Sequence, residues 1–238
     1  MENYKKNLEL LTKNHVYSKE MEHDACGVGL IASTEGKKSR AIVEYGIEAL
    51  KAVWHRGAVD ADGKTGDGAG IHVEIPKDFF IEKIQVTGHD YDNSEICVGM
   101  IFLPRNDYSA QESCKTIVES ELTKNNFSIY GWRQVPVNPK VLGEKALQTM
   151  PEIIQVLFKP NDPNLLDKNL ERKIYEIRKR IENKAFDASL NNFYICSISS
   201  KSIIYKGLYL AESLSDFYLD LRDSRFISRY AIFHQRFS

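Results

Sequence analysis

Ile96-Cys-Val-Gly-Met-Ile-Phe-Leu103 is an uninterrupted apolar run closed by Pro104. A run this apolar reads as a central strand covered on both faces, so the chain has to build layers on either side of it. Cys26–Ser33 reads as a second buried strand, ended by the Thr34-Glu35-Gly36 turn. Ala41, Ile42, Tyr45, Ile47, Ala49, Leu50 and Val53 recur at helical spacing up to Trp54. Ile71–Ile75 alternates like a strand, and Pro76 opens a short helix over Lys77–Lys83. Residues 84–95 read as an exposed loop. Tyr108–Leu122 suits an amphipathic helix, Phe127–Val135 and Ile153–Phe158 suit strands, and Leu165–Phe186 suits a long charged helix with a solvated face. Phe193–Ser199 and Ser202–Tyr205 read as a hairpin, Leu219 to Phe226 as helical or irregular, and Arg229–Phe237 as a last strand. Strands and helices mix without regular βαβ alternation, which predicts a layered α+β fold rather than a doubly wound parallel sheet.

Hydrophobic residues make up 42% and charged residues 27% of 238, enough to bury a sizeable core. The formal net charge of −1 argues against a nucleic-acid or membrane-surface partner. No apolar run approaches the roughly 20 residues that span a bilayer. Cys26, Cys97, Cys114 and Cys196 are too widely spaced to predict a metal site built from this chain alone. No apolar core of a secretory signal is visible, so a cytoplasmic location with free thiols is expected. Cys97, Cys114, Cys196, Trp54 and Trp132 read as core residues and His72 as structural. His234 reads either as a pocket neighbour or as a packing residue.

Two segments carry chemistry. Cys26-Gly-Val-Gly29 opens a core strand right after a polar leader, residues 1–25. A cleavage before Cys26 would leave a free α-amine beside its thiol, and that amine, with a reference pKa of about 8, can serve as the general base. The bland alternative is a small buried thiol at a strand end. The second segment is His55-Arg56-Gly57-Ala58 followed by Thr65-Gly66-Asp67-Gly68-Ala69-Gly70. A glycine-rich loop of this kind can present backbone N–H groups and an arginine fork to a carboxylate. It is neither a P-loop nor a dinucleotide fingerprint. A plain solvated turn remains open, as does a calcium loop from Asp60, Asp62 and Asp67, although Ile71 stands where the bidentate Glu of such a loop belongs.

Together with Phe233-His234-Gln235-Arg236-Phe237-Ser238, these segments closely resemble the amino-terminal glutaminase domain of the glutamate synthase large subunit, a class II glutamine amidotransferase with an N-terminal nucleophile. The resemblance runs from about Cys26 to the last residue. It implies a four-layer αββα sandwich, a propeptide over residues 1–25 and an amidotransferase domain over 26–238. It implies that Cys26 attacks the side-chain amide of L-glutamine and releases ammonia, and that Arg236 holds the substrate α-carboxylate. Arg56, Gly57, Asp67 and Gly68 are implied to line or border the same pocket. For the parent enzyme it implies synthase domains in the same chain, FMN, an iron–sulfur cluster, NADPH or ferredoxin as reductant, and a small reductase subunit; this stretch itself is expected to carry no cofactor.

The family motif continues past Phe-Ser, and its oxyanion-forming Asn-Gly pair and amine-binding aspartate lie further along. The chain is therefore expected to be a partial domain with little or no glutaminase activity alone, since one oxyanion donor is worth about 10²–10³ in rate. Two other readings stay open: the amidotransferase domain of a nucleotide or amino-sugar enzyme, and an inactive scaffold module.

Overall fold

The computed structural model describes residues 27–236, together with Lys6, Asn7, Glu9, Leu10, Thr12 and Lys13, which are helical and exposed. The elements run β1 Gly27–Ala32, α1 Arg40–Ala52, β2 Ala69–Glu74, α2 Lys77–Val86, β3 Cys97–Leu103, α3 Tyr108–Lys124, β4 Phe127–Gln134, α4 Glu144–Thr149, β5 Glu152–Pro160, α5 Asp167–Asp187, β6 Tyr194–Ser199, β7 Ser202–Gly207, α6 Leu214–Phe217 and β8 Tyr230–Gln235. The strands form two four-stranded sheets, ordered β1-β8-β2-β7 and β4-β5-β3-β6. The named pairings in both sheets are antiparallel. With the helices packed on them, the sheets make the expected α+β sandwich, consistent with the N-terminal nucleophile hydrolase fold.

The second sheet has a motif of its own. β3-α3-β4-β5-α5-β6 is a strand–helix–strand unit used twice, and the strand order places β3 and β5 inside. That is the ferredoxin-like arrangement. β3 is the interior strand its apolar run predicted, and all but Phe102 of it is buried. α5 exists because Leu170, Ile174, Ile177, Ile181 and Ala185 fall on one stripe, which is its buried face. α3 starts at Asp107, whose side chain accepts a hydrogen bond from the Ala110 N–H at 2.9 Å. Both stripes cover one face of the sheet, where they meet Cys97, Ile101, Leu103, Ile154, Val156 and Phe158.

The other face of that sheet, with Val98, Met100, Tyr130, Leu157 and Cys196, joins one continuous core with the first sheet, α1 and α2. α1 supplies Ile42, Val43, Ile47 and Leu50. Three sequence expectations are corrected here. β6 and β7 are not a hairpin, because they lie in different sheets: the turn at Ser200–Lys201 carries the chain from one to the other. Side chains hold that corner, where the Ile204 N–H donates to Ser197 Oγ at 3.1 Å and Glu171 accepts from Ser199, and from the Ser200 N–H at 2.7 Å. β1 is not fully buried, since it is an edge strand with Val28 and Leu30 exposed. Trp54 is not in the core, being 67% exposed on the turn after α1. Cys97, Cys114 and Cys196 are buried as expected.

A buried polar cluster ties the sheets together. Arg133 on β4 donates to Asp220 at 2.8 and 2.5 Å and to Gln155 Oε1 on β5 at 2.7 Å. Tyr205 on β7 donates to Asp220 at 3.0 Å and accepts from Gln155 Nε2 at 3.3 Å. Asp220, Gln155 and Tyr205 are all essentially inaccessible to water. Such a pair is held by geometry, since each ion has lost its hydration. Among the described residues no helix is long and apolar enough to cross a membrane.

Removing one ion should strand the other. Asp220→Ala is expected to lower unfolding free energy by about 3–5 kcal/mol, read from the urea midpoint, because it leaves Arg133 buried without its counter-charge. The double change Arg133→Met with Asp220→Leu should recover most of that loss. An Asp220→Ala protein within about 1 kcal/mol of the parent would mean the cluster does not join the sheets.

Candidate active site

β8 enters the first sheet between β1 and β2. Its last residue, Gln235, stands opposite Gly27, the first residue of β1, and opposite Ala69, the first residue of β2. One end of the sheet therefore gathers the start of β1, the start of β2 and the end of β8. α1 lies across these strands, and the 3-10 turn Trp54–Arg56 follows it back to the same end. The stem of Arg56 rests on Gly27: a Cβ there would stand 3.2 Å from Arg56 Cβ. Gly57 sits against the Gln235 amide, where a Cβ would come within 2.0 Å of Nε2. Only glycine permits that approach.

The stretch between Gly57 and β2 is a small self-bonded loop. Val59 and Gly66 form a bridge, and the Asp60 N–H donates to the Thr65 carbonyl at 2.9 Å. Asp62 accepts from the Thr65 hydroxyl at 2.5 Å and from the N–H groups of Thr65 and Lys64 at 2.7 and 2.9 Å. These bonds, the Thr65 hydroxyl first, hold its carboxyl far below the usual range. Asp60 pairs with Lys145 of α4 at 2.7 Å, and the Ala146 N–H reaches Thr65 Oγ1, so α4 braces the loop. Both carboxylates are thus engaged in holding the turn. Among the described residues no group of three or more His, Cys, Asp or Glu side chains is placed to hold a metal ion.

Asp67 and Gly68 carry this loop to Arg236. Asp67 accepts from the Ala58 N–H at 3.0 Å through Oδ1, while its Oδ2 lies 3.4 Å from Arg236 Nε. The Arg236 N–H donates to the Gly68 carbonyl at 2.7 Å. Gly68 has φ +111 and Arg236 has φ +84. The first is easy for glycine; the second is strained for a residue with a Cβ and marks a position that its surroundings force. Arg236 leaves the strand here and is turned across the loop.

Arg56, Gly57, Asp67, Gly68 and Arg236, named from sequence, are thus brought together at one end of one sheet. Cys26 lies outside the described residues, as do most of the leader and Phe237 and Ser238. Gln235, not singled out from the sequence, stands at the same end of the sheet. It is 1% exposed, and its Oε1 has no hydrogen-bond partner among the described residues. Its signal was its position beside Arg236, inward-facing on an alternating strand. His234 points to the opposite face of β8, in the row of Gly70 and Lys206, and burial, with Lys206 adding to it, depresses its imidazole pKa. Burial also pushes the thiols of Cys114 and Cys196 up to about 11 and 12, and that of Cys97 well above its usual value. A protonated buried thiol is a poor nucleophile. A cavity of about 970 Å3 opens on the far side of the loop, walled by Phe102, Met150, Phe193, Tyr194, Leu208 and Tyr209 among others.

Gly57→Ala should force the Gln235 amide aside and cost about 1–3 kcal/mol in thermal unfolding. Adding Gln235→Ser should return part of that loss by making room. A Gly57→Ala protein that melts like the parent would show that the two residues do not touch.

The family model described as Glutamine amidotransferases class-II matches residues 26–238. The chain is 54% identical to the glutamate synthase [NADPH] large chain of Azospirillum brasilense over 235 residues, which cover 99% of this chain and 15% of that protein. It is 40% identical over 220 residues to the chloroplastic ferredoxin-dependent glutamate synthase of Spinacia oleracea, covering 91% of this chain and 13% of that one. Against the ferredoxin-dependent glutamate synthase of Pyropia yezoensis it is 40% identical over 234 residues, 96% of this chain and 15% of the relative. The chain thus spans about 15% of the length of these relatives. A match over residues 26–238, on a fold and a loop geometry that suit it, settles the family: the chain belongs to the class-II glutamine amidotransferases.

Proposed function

We propose that this chain is the glutamine-hydrolysing domain of a glutamate synthase, with Cys26 as nucleophile and residues 1–25 as a propeptide. The observation that supports this best is the meeting of Arg56, Gly57, Asp67, Gly68 and Arg236 at the end of the sheet where β1 begins, one peptide bond from Cys26. The three described thiols are disabled by burial, which favours the fourth.

In this reading, removal of the leader frees the α-amine of Cys26. The amine takes the thiol proton, and the thiolate adds to the side-chain carbonyl carbon of L-glutamine. The C–N bond then breaks as the amine returns its proton to the leaving nitrogen, giving ammonia and a thioester. Water, deprotonated by the same amine, hydrolyses the thioester and releases glutamate. Arg236 binds the substrate α-carboxylate through its fork, and Asp67 holds the guanidinium in place. Arg56, its stem set by Gly27, lines the pocket beside it, and Gly57 and Gly68 keep its walls close to the substrate.

Ammonia would pass to a synthase domain of a longer protein for reductive amination of 2-oxoglutarate. The greater likeness to the relative named for NADPH favours a nicotinamide-linked parent over a ferredoxin-linked one. FMN and an iron–sulfur cluster would supply the redox chemistry of that parent. The described residues of this chain do not fit such a cluster, because Cys97, Cys114 and Cys196 sit buried in separate elements with no grouped ligands. A cytosolic, reducing compartment suits a thiol nucleophile.

In the full-length protein, Cys26→Ser should lower kcat for glutamine hydrolysis by at least ~10³, and a diazo-ketone glutamine analogue should add one adduct to a chain that starts at Cys26, read by intact mass. Arg236→Lys should raise KM for glutamine by about 10–100-fold, since it loses the fork. Unchanged hydrolysis by Cys26→Ser would overturn the nucleophile assignment.

A further inference from the structure

The cavity behind the glycine loop takes no part in the proposed reaction. At about 970 Å3 it is large enough for a small organic ligand. Four segments far apart in sequence wall it: the end of β3, α4, the turn before β6 and the end of β7. Its lining is largely apolar. Leu103, Ile153 and Phe217 are buried, and the rings of Phe102 and Tyr194 stand 5.8 Å apart. Its charges are mainly positive. Lys206 Nζ donates to Tyr194 Oη at 2.5 Å and lies 4.5 Å from the centre of that ring, so an ammonium is held beside the aromatic part of the wall. Arg105 reaches the Leu147 carbonyl at 3.4 Å and has no carboxylate partner among the described residues. Asp107, the one acidic residue of the lining, is occupied in capping α3.

The same walls support the glycine loop. A Cβ at Gly66 would stand 2.7 Å from the Tyr209 carbonyl oxygen, and one at Gly143 would stand 2.3 Å from both Asp62 Oδ2 and Thr65 Oγ1. Lys145 pairs with Asp60, and the Ala146 N–H reaches Thr65 Oγ1. The loop is thus wedged between α4 and the residues that follow β7. Ala146 and Tyr209 each meet the loop and also line the cavity.

We propose that this cavity is an effector site for a small organic anion with a flat apolar body, such as an aromatic carboxylate, and that filling it stiffens the loop that carries Asp67. The rings of Phe102, Phe193 and Tyr194 receive the body, and Lys206 and Arg105 receive the carboxylate. A ligand that binds α4 and the end of β7 together raises the free energy of any opening that parts them, and the loop lies between them. The site stands apart from the reading of Cys26.

The test uses the full-length enzyme with naphthalene-2-carboxylate as probe and naphthalene-2-carboxamide as its uncharged match. Binding is read by calorimetry, and loop motion by hydrogen exchange at the Asp60, Gly63 and Asp67 amides. The carboxylate should bind at least about 10-fold more tightly than the carboxamide, which brings no charge to the pair of cations. Arg105→Gln combined with Lys206→Gln should remove that difference. Asn192→Trp, a change at an exposed position of the wall, should block uptake of both probes without lowering the melting temperature. With the carboxylate bound, exchange at the three loop amides should slow by about threefold or more. Equal binding of the two probes, or uptake unchanged in both variants, overturns the anion site. Uptake that leaves loop exchange unchanged overturns the coupling. No uptake overturns the proposal as well; amides at 191–194 and 206–209 already protected without probe would then mean that another part of the parent fills the cavity. Cys26→Ser should bind the probe as the unmodified enzyme does, so failure of this site and failure of the nucleophile assignment are read separately.

Discussion

The site depends on where β8 lies. β8 comes from the far end of the described chain and inserts between β1 and β2, pairing with both over most of its length. No local rule demands this, since hairpins between consecutive strands are the cheaper connection. The insertion is stabilised because Ala231 and Phe233 fall on the face that meets α1 and the core, where both are nearly inaccessible. Once that register is set, Gln235 must face Gly27 and Ala69. Arg236 must then emerge beside the loop that feeds β2. The starts of β1 and β2 and the distant end of β8 acquire their spacing from this one arrangement of strands.

The geometry at that end is maintained at some local cost. Arg236 holds a left-handed backbone without being glycine, and Gln235 keeps a carbonyl without a partner among the described residues. Both features sit within two residues of each other, and both touch the glycine loop. Elsewhere the chain satisfies its buried polar groups with care: Glu74 collects Arg229 and the Arg229 N–H, and Asp220 collects Arg133 and Tyr205. The pattern is not exclusive to this end, since Tyr209 Oη is also buried without a partner among the described residues and Asn93, Asn126, Asp167 and Ser189 also have positive φ, but Arg236 combines a left-handed backbone with a charged side chain at the end of a strand.

Much of this was legible in the residues. β3, α3 and α5 announced themselves through an apolar run or a helical stripe, because their burial is set by local pattern. The candidate segments stood out because their motifs occur together, and the structure brings Arg56, Gly57, Asp67, Gly68 and Arg236 to one end of one sheet. What the pattern hid was partnership. β6 and β7 are short, close in sequence and strand-like, which is how a hairpin reads; that the turn between them crosses from one sheet to the other is decided by the core, not by Ser200 or Lys201. The same holds for β1, whose Val28 and Leu30 look like core residues and instead lie on an exposed edge. Trp54 was misjudged because a large aromatic at the end of an amphipathic helix reads as buried, but it falls on the 3-10 turn, where the stripe has already rotated away. The doubled strand–helix–strand unit of the second sheet was missed for the same reason, since pairing order leaves no mark on a single strand.

In the proposed reading of Cys26 as an N-terminal nucleophile, the exposed edge would have a use that the burial pattern alone does not suggest. A nucleophile whose base is its own α-amine needs a chain start that a strand positions but does not consume in pairing. A central strand would hold that start between two neighbours, whereas among the described residues β1 pairs with β8 alone. β8 itself stops supplying partners at the right place. The Arg236 N–H is committed to the Gly68 carbonyl, and the left-handed turn at Arg236 takes its backbone out of the ladder plane. The ladder can therefore fix Gly27 while the N–H that would come next is spent on the loop. A single residue thus ends the strand, anchors the loop through its N–H and turns its guanidinium to Asp67, which explains why the left-handed backbone falls at Arg236 and not along the sheet.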